Sequence, residues 1–582
     1  MIAELNYEAI PGNSHLVDIG EKTATGEVKN EIVLIPTPSD DVNDPLNWTP
    51  LRKWTAVACV LVYTLGVGVP SAAIYSVLAS IEENRNISLG DLNNGTGYMF
   101  LFFGLGCLVF QPLALQFGKR PVYLFSMLAT AMICVWPPYT KSNGEWIASK
   151  ILQGFFGSTI ESLPEISMSD LFFEHERSLA LSLYGLTLLS ASYLAPFVAG
   201  FISQGQGWEW VMWWCAIFGA VCFVFLFFFM EETNYDRKLK IDSTTNKPIT
   251  LTSRQGTLAA VFSNIDDIVG EDSGSDGAQE KQNYQVEESR DPIKAITSAE
   301  NSNVHNQVSR VEIVESHNYV GAQKTPKTFW QKLSLTNGKK DKFLLHHYAI
   351  APFFMARFPV VLWAGFLYGS SLVWFNVLNA TAALILGGKP YNFSASIVGV
   401  SYLSPTIFTW ILFFVTGVSS DWLKVRIAKR RGNGLSLPED RLWILSIYCV
   451  LGLAACILWG VGAYYEVHWF GLIFGLGLLG GCGIFGIASS TTYVVDSYKE
   501  LDTEAMVVVI VIRNCMSFAV SYGITDWVVD LGYKKCFISV GFICFACNLT
   551  FLLMVYTGPW WRNRQKHMYW SMVEKYRKLG MH

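Results

Sequence analysis

Charge is what this chain has least of. Only 15% of its 582 residues are Asp, Glu, Lys or Arg, against roughly a quarter in a soluble globular domain. That deficit excludes an ordinary soluble protein. The net charge of −4 carries no basic excess, so nucleic acid is not expected as a partner. No CxxC pair with a His partner occurs, and a zinc site or other metal centre is not expected. The twelve cysteines fall within apolar runs or, for Cys536, at the edge of one. There a thiol behaves as a small apolar group, and no disulfide framework is expected. The first fifty residues lack the apolar core of a cleavable signal, so the first span is expected to act as an uncleaved one. A P-loop is missing, which argues against ATP-driven pumping. Clustered His and nucleophile–base motifs are missing too, so neither an enzyme nor a cofactor is expected.

Apolar length is what the chain has in abundance, with 51% hydrophobic residues. A helix needs ~20 largely apolar residues to cross ~30 Å of hydrocarbon. Six such segments fall near 55–80, 93–115, 121–140, 146–169, 179–203 and 211–230 (spans 1 to 6). Six more fall near 352–385, 394–418, 442–465, 468–494, 505–530 and 535–557 (spans 7 to 12). The expected fold is an all-α membrane protein of twelve transmembrane helices in two six-helix bundles, residues 51–231 and 346–558. Residues 1–50 and 559–582 read as cytosolic tails, the first of them disordered. Residues 232–345 are rich in Ser, Asn, Gln, Glu and Asp without a sustained apolar period. They read as a mostly disordered linker.

Orientation follows from the Lys/Arg bias of short loops. With the N-terminus inside, the inner loops carry Lys119, Arg120, Arg177, Lys424, Arg426, Lys429, Arg430, Arg431, Arg441 and Lys499. The outer loops carry only Arg85, Lys141, Lys389, Lys534 and Lys535. Both termini and the linker are therefore expected in the cytosol. Asn86 and Asn392 then head glycosylation sequons on outer loops. Two sets of six spans around a long linker is the plan of transporters built from two similar halves. The halves also echo each other: Gly118-Lys119-Arg120 follows span 2, and Gly417 to Asp421 with Lys424 and Arg426 follows span 8.

Several segments resemble the major facilitator superfamily, in particular its fungal drug:proton antiporter branch with twelve spans. They are Asp44-Pro45-Leu46-Asn47-Trp48 before span 1, Leu152 to Ser158 in span 4, and Asp170-Leu171-Phe172-Phe173 with His175-Glu176-Arg177 after it. Ala195-Pro196-Phe197-Val198-Ala199-Gly200 in span 5 and Tyr493 to Tyr498 ending span 10 complete the set. Glu161 to Ser167 resembles members of that branch that carry polyamines and histidinol across the plasma membrane. The resemblance implies the major facilitator fold, a small-molecule substrate and proton coupling. The chain departs from the pattern at Gln111 and Leu115, where the family has Gly and Asp, at Lys150, where it has Arg, and at Ala195, where it has Gly. The inner gate of the first half is therefore expected to be held differently.

Glu161 and Glu165 are the most informative residues. They stand four apart, as on one face of a helix, and a carboxylate in a span costs several kcal/mol if it faces lipid. Both are expected to face a cavity, to meet the amines of a di- or polyamine, and to couple its binding to protons. A structural pairing with Lys150 or Arg513 fits the same residues. Pro164 between them is expected to kink span 4. Tyr368, Trp374 and Asn376 of span 7, with Asn379, are candidate contacts to an ammonium group through aromatic faces and amide oxygens. Arg513, Asp170, Asp496 and Asp421 read as gate or structural charges. The expected activity is proton-coupled transport of organic cations, polyamines foremost, by a monomer in the plasma-membrane bilayer. A multidrug exporter on the same fold and a non-transporting membrane sensor are the alternatives.

Overall fold

A computed structural model describes residues 7–15, 32–33, 39, 41–173, 177–235, 252–253, 327–334, 343–431 and 435–580. Most of the linker, and with it the expectation of disorder there, lies outside the described residues. Ten described segments are long and apolar enough to cross a membrane. One, Lys499–Leu579, covers 81 residues and serves two crossings, because Gly532 leaves helical geometry (φ 70) within Asp502–Leu549. Span 4 is the twelfth crossing. It is split into Asn143–Gly157, a 3-10 turn at Ser158–Ile160, and Leu163–Leu171.

The two bundles meet differently on the two sides of the molecule. Toward the loops that join spans 1 to 2, 7 to 8 and 11 to 12, one apolar cluster takes residues from both halves. Tyr75, Leu78 and Tyr193 pack there with Trp374, Leu378, Tyr402 and Val528. Toward the chain ends the halves keep separate cores: Tyr63, Phe110 and Leu171 belong to one, Val361, Tyr448 and Val509 to the other. The halves thus share one apolar core on one side and keep separate cores on the other. Close helix contact needs small residues, and Gly154 is one: a Cβ there would lie 2.2 Å from the Met99 carbonyl oxygen of span 2.

The expected tails carry structure where they are described. The last helix runs on through Phe551–Leu579. Residues 9 to 13 lie against it, with Trp570 Nε1 donating to the Ala9 carbonyl at 2.8 Å and Arg562 bonding Pro11 and Asn13. Ser14–His15 adds a short antiparallel ladder to Leu435–Ser436. Buried Arg562 needs more acceptors than Glu439 supplies, and the passing chain provides them.

Candidate functional site

Span 4 breaks beside Glu161, and the sequence explains how. Pro164 has no N–H, so it cannot donate to the carbonyl four residues back. That carbonyl belongs to Ile160, and Tyr184 Oη of span 5 donates to it at 2.6 Å. The next freed carbonyl, Ser158, accepts from Cys107 Sγ of span 2 at 3.1 Å. It also accepts from the Glu161 N–H at 3.1 Å, closing the 3-10 turn. Irregular backbone at membrane depth persists only where such partners exist or a cavity is lined. Here both hold, and the break turns Glu161 toward the interface of the halves. Glu161 and Glu165 therefore do not share one continuous helix face, as their spacing suggested; the Glu161–Ser162 turn separates them.

A cavity of about 490 Å³ lies between the halves. Glu161, Glu165 and Tyr184 line it from the first half, and Tyr368, Asn376, Asn379 and Arg513 from the second. It extends to Arg441, Asp496 and Lys499 on the side of the chain ends. Glu161 forms an ion pair with Arg513 of span 11, both being less than a tenth exposed. Arg513 Nη1 also donates to Tyr368 Oη at 3.2 Å, and its guanidinium lies 4.9 Å from the centroid of that ring. Glu165, part-exposed in the cavity, has no hydrogen bond or ion pair to its carboxylate among the described residues. The cavity thus holds one compensated carboxylate and one open to a cation or a proton.

Most expected site residues fall on this cavity, and the exceptions have physical reasons. Trp374 does not line it. It is 5% exposed within the shared apolar cluster. Tyr368, Leu372, Phe375, Asn376 and Asn379 follow helical spacing along the cavity face, and Trp374, about 200° round the helix from Asn376, points away. Asp170 lies off the cavity and pairs with Lys119. Asp496 pairs with Lys424 at 3.2 Å and Arg441 at 3.4 Å. These two clusters occupy matching places, each joining the turn after the second span of a half to the end of its fourth. The side chain of Asp421 lies outside the described residues. Asn86 and Asn392 are exposed and both take positive φ.

In the first half Glu232 holds the basic turn after span 2. Its carboxylate accepts from the backbone N–H groups of Lys119 and Arg120, both at 3.0 Å. Burial pushes this carboxyl up, against those hydrogen bonds. Sequence reasoning missed Glu232, Tyr184 and Asn514. The partners that place Glu232 and Tyr184 lie far along the chain, whereas Asn514 bonds Arg513 and the Ile510 carbonyl nearby; Glu232 offered a signal, as an acid just beyond a span.

Two apolar bundles around a charged central cavity, open on one side, define a carrier protein. The Major Facilitator Superfamily pattern matches residues 56–522, and the chain belongs to that family. It is a secondary transporter of small molecules, not an enzyme. An uncharacterized MFS-type transporter of Schizosaccharomyces pombe is 28% identical over 94% of this chain and 91% of its own length. Protein HOL1 of Saccharomyces cerevisiae is 25% identical over 95% and 93%. Polyamine transporter 4 of the same yeast is 28% identical over 34% of this chain and 29% of its own. Among solved structures the fold is similar to the xylose transporter XylE of E. coli, at a TM-score of 0.52 and 11% identity, covering 86% of this chain and 98% of that one.

Proposed function

We propose that this chain is a proton-coupled transporter of organic cations of the polyamine class. The observation that carries the reading is the pair Glu161 and Glu165 on one central cavity, the second with no partner to its carboxylate among the described residues. An ammonium group or a proton can complete Glu165, and the two exclude each other there. That competition couples cation movement to a proton gradient. Tyr368, Asn376 and Asn379 add an aromatic face and amide oxygens suited to ammonium groups. A relative whose name states polyamine transport supports the same class. Transport proceeds by rocking one half against the other around the cavity, with this conformation as the end point open toward the chain ends. Following the Lys/Arg bias, that side is the cytosol and both termini lie there. The protein then acts as a monomer in the plasma membrane, with Asn86 and Asn392 outside and open to glycosylation.

The test is flux of labelled spermidine into proteoliposomes with and without an imposed pH gradient. The reading requires saturable flux that the gradient drives; no flux with any di- or polyamine refutes it. A second reading, export of larger apolar cations, is favoured by the cavity walls of Phe100, Phe103, Leu188, Phe375 and Ile484. Competition of spermidine flux by a bulky lipophilic cation, and outward flux in cells, would support it.

A further inference from the structure

A carrier with fixed carboxylates in its cavity must also return empty. With substrate aboard, the cation neutralises them as the halves close. Without it, an ionised carboxylate would pass through a closed, water-poor state, at a cost of several kcal/mol for an uncompensated buried ion. Glu161 lies in the first half and Arg513 in the second, and they meet across the interface.

We infer that Arg513 is the carrier's internal substitute for the substrate cation, neutralising Glu161 in the empty transporter and giving it up when an amine binds. This rests on the cationic-substrate reading above. The guanidinium occupies the place at Glu161 that an ammonium group needs, so amine and arginine exclude each other. Arg513 does not lose every partner on release. Tyr368 Oη at 3.2 Å and Asn514 Oδ1 at 3.4 Å still accept from it, and the Tyr368 ring still faces its charge. Its Nε, buried without an acceptor among the described residues, is not satisfied where the side chain stands, as fits a group that moves. The close contact of spans 7 and 11, where a Cβ on Gly369 would lie 3.2 Å from the Arg513 Cα, fixes the backbone and leaves the side chain as the moving part.

Removing Arg513 should therefore separate two fluxes. Exchange of external for internal amine never requires the empty carrier to reorient, whereas net uptake does. In proteoliposomes, Arg513→Gln should lower the ratio of net spermidine uptake to spermidine exchange by about tenfold, equivalent to ~1.4 kcal/mol. It should also bind spermidine more tightly, because no competitor remains at Glu161. Arg513→Lys keeps a cation and should keep most of that ratio. Equal losses of exchange and net uptake, an unchanged ratio, or weaker binding in Arg513→Gln would overturn the inference. If Arg513→Gln cannot be recovered folded, Arg513→Lys and the double variant Glu161→Gln/Arg513→Gln decide. Both should keep the ratio within about threefold of the wild type, and a tenfold fall in either overturns it. Wild-type protein that carries no polyamine sinks the cationic-substrate reading itself, a different result from wild type that carries it while the ratio fails to move.

Discussion

Tyr184 donates a 2.6 Å hydrogen bond to the Ile160 carbonyl, the one Pro164 leaves without its helical donor. This contact lets span 4 break beside Glu161 without leaving a polar group bare in the membrane. Tyr184→Phe keeps the ring and removes only the donor. A buried acceptor left unmade costs about 1–3 kcal/mol, so the melting temperature in detergent is expected to fall with little change in surface expression. Unchanged melting would mean that water or another donor already serves Ile160.

Arg562 and Glu439 are 0% and 2% exposed and join through two hydrogen bonds of 2.9 and 2.6 Å. Tyr493 Oη also donates to Glu439 at 3.1 Å. Breaking such a pair from one side strands the other charge, at about 3–5 kcal/mol. Arg562→Ala should destabilise the protein by that amount, whereas Arg562→Met with Glu439→Leu should recover much of it. Deleting residues 1–13 removes two acceptors of Arg562 and the Ala9 acceptor of Trp570 but leaves the Glu439 pair intact, so it should cost less than Arg562→Ala. A deletion as harmful as the substitution would show that the contacts of residues 1–13 outweigh the buried ion pair.

How much of this was written in the sequence depends on the range of each interaction. Most of the crossings follow from apolar length, because a helix satisfies its own backbone in lipid. Glu161 and Glu165 stood out because hydrocarbon penalises a carboxylate wherever it falls. Aromatic chemistry alone points to Trp374; Tyr368, Asn376 and Asn379 mark the face that meets the cavity, and Trp374 stands about 200° round the helix from Asn376. The docking of residues 9 to 13 was out of reach, since Pro11 and Arg562 stand 551 residues apart. The break in span 4 was half legible: Pro164 announced a lost hydrogen bond, but the turn it permits depends on Tyr184 and Cys107 from other spans.

Asp496 lies between Lys424 and Arg441 at 3.2 and 3.4 Å, about a quarter exposed at the cavity mouth. Exposed pairs of this kind contribute about 0.2–1 kcal/mol. Asp496→Asn should therefore leave melting nearly unchanged while slowing maximal flux, with KM conserved, because the residue touches the mouth and not the carboxylate pair. A large rise in KM at unchanged maximal rate would instead make Asp496 a substrate contact.

Glu232 gives a pH signature of stability. Burial holds its carboxyl above the ordinary carboxylate value in the folded protein. A group raised on folding contributes stability that is fully present below its unfolded value of ~4.3 and lost as pH rises through the folded one. Glu232→Gln removes that titration. Plotted against pH, the stability of wild type relative to Glu232→Gln should fall from about pH 4 upward. Parallel melting profiles for the two proteins would refute the assignment.

Glu165 offers the cleanest test of the binding reading, because among the described residues it has no ion-pair partner to strand. Glu161→Gln is a less direct probe: it leaves Arg513 uncompensated in a buried site, so lost stability and lost binding arrive together. Glu165→Gln has the same shape without the charge, and folding should be conserved or slightly improved. A charge-assisted hydrogen bond is worth about 1.5–3 kcal/mol, and ~1.4 kcal/mol is tenfold in affinity. Spermidine and spermine should therefore bind about tenfold more weakly or worse. A monoamine, which needs only Glu161, should be little affected, so the penalty should grow with the number of amines. If Glu165 also exchanges its proton for the cation, the pH dependence of spermidine binding should flatten in the same variant. Melting, binding across the amine series and the pH profile can be measured on one detergent-purified preparation. A folded Glu165→Gln protein with wild-type spermidine affinity and wild-type pH dependence would remove Glu165 from the site, and with it the observation on which the proposed function stands.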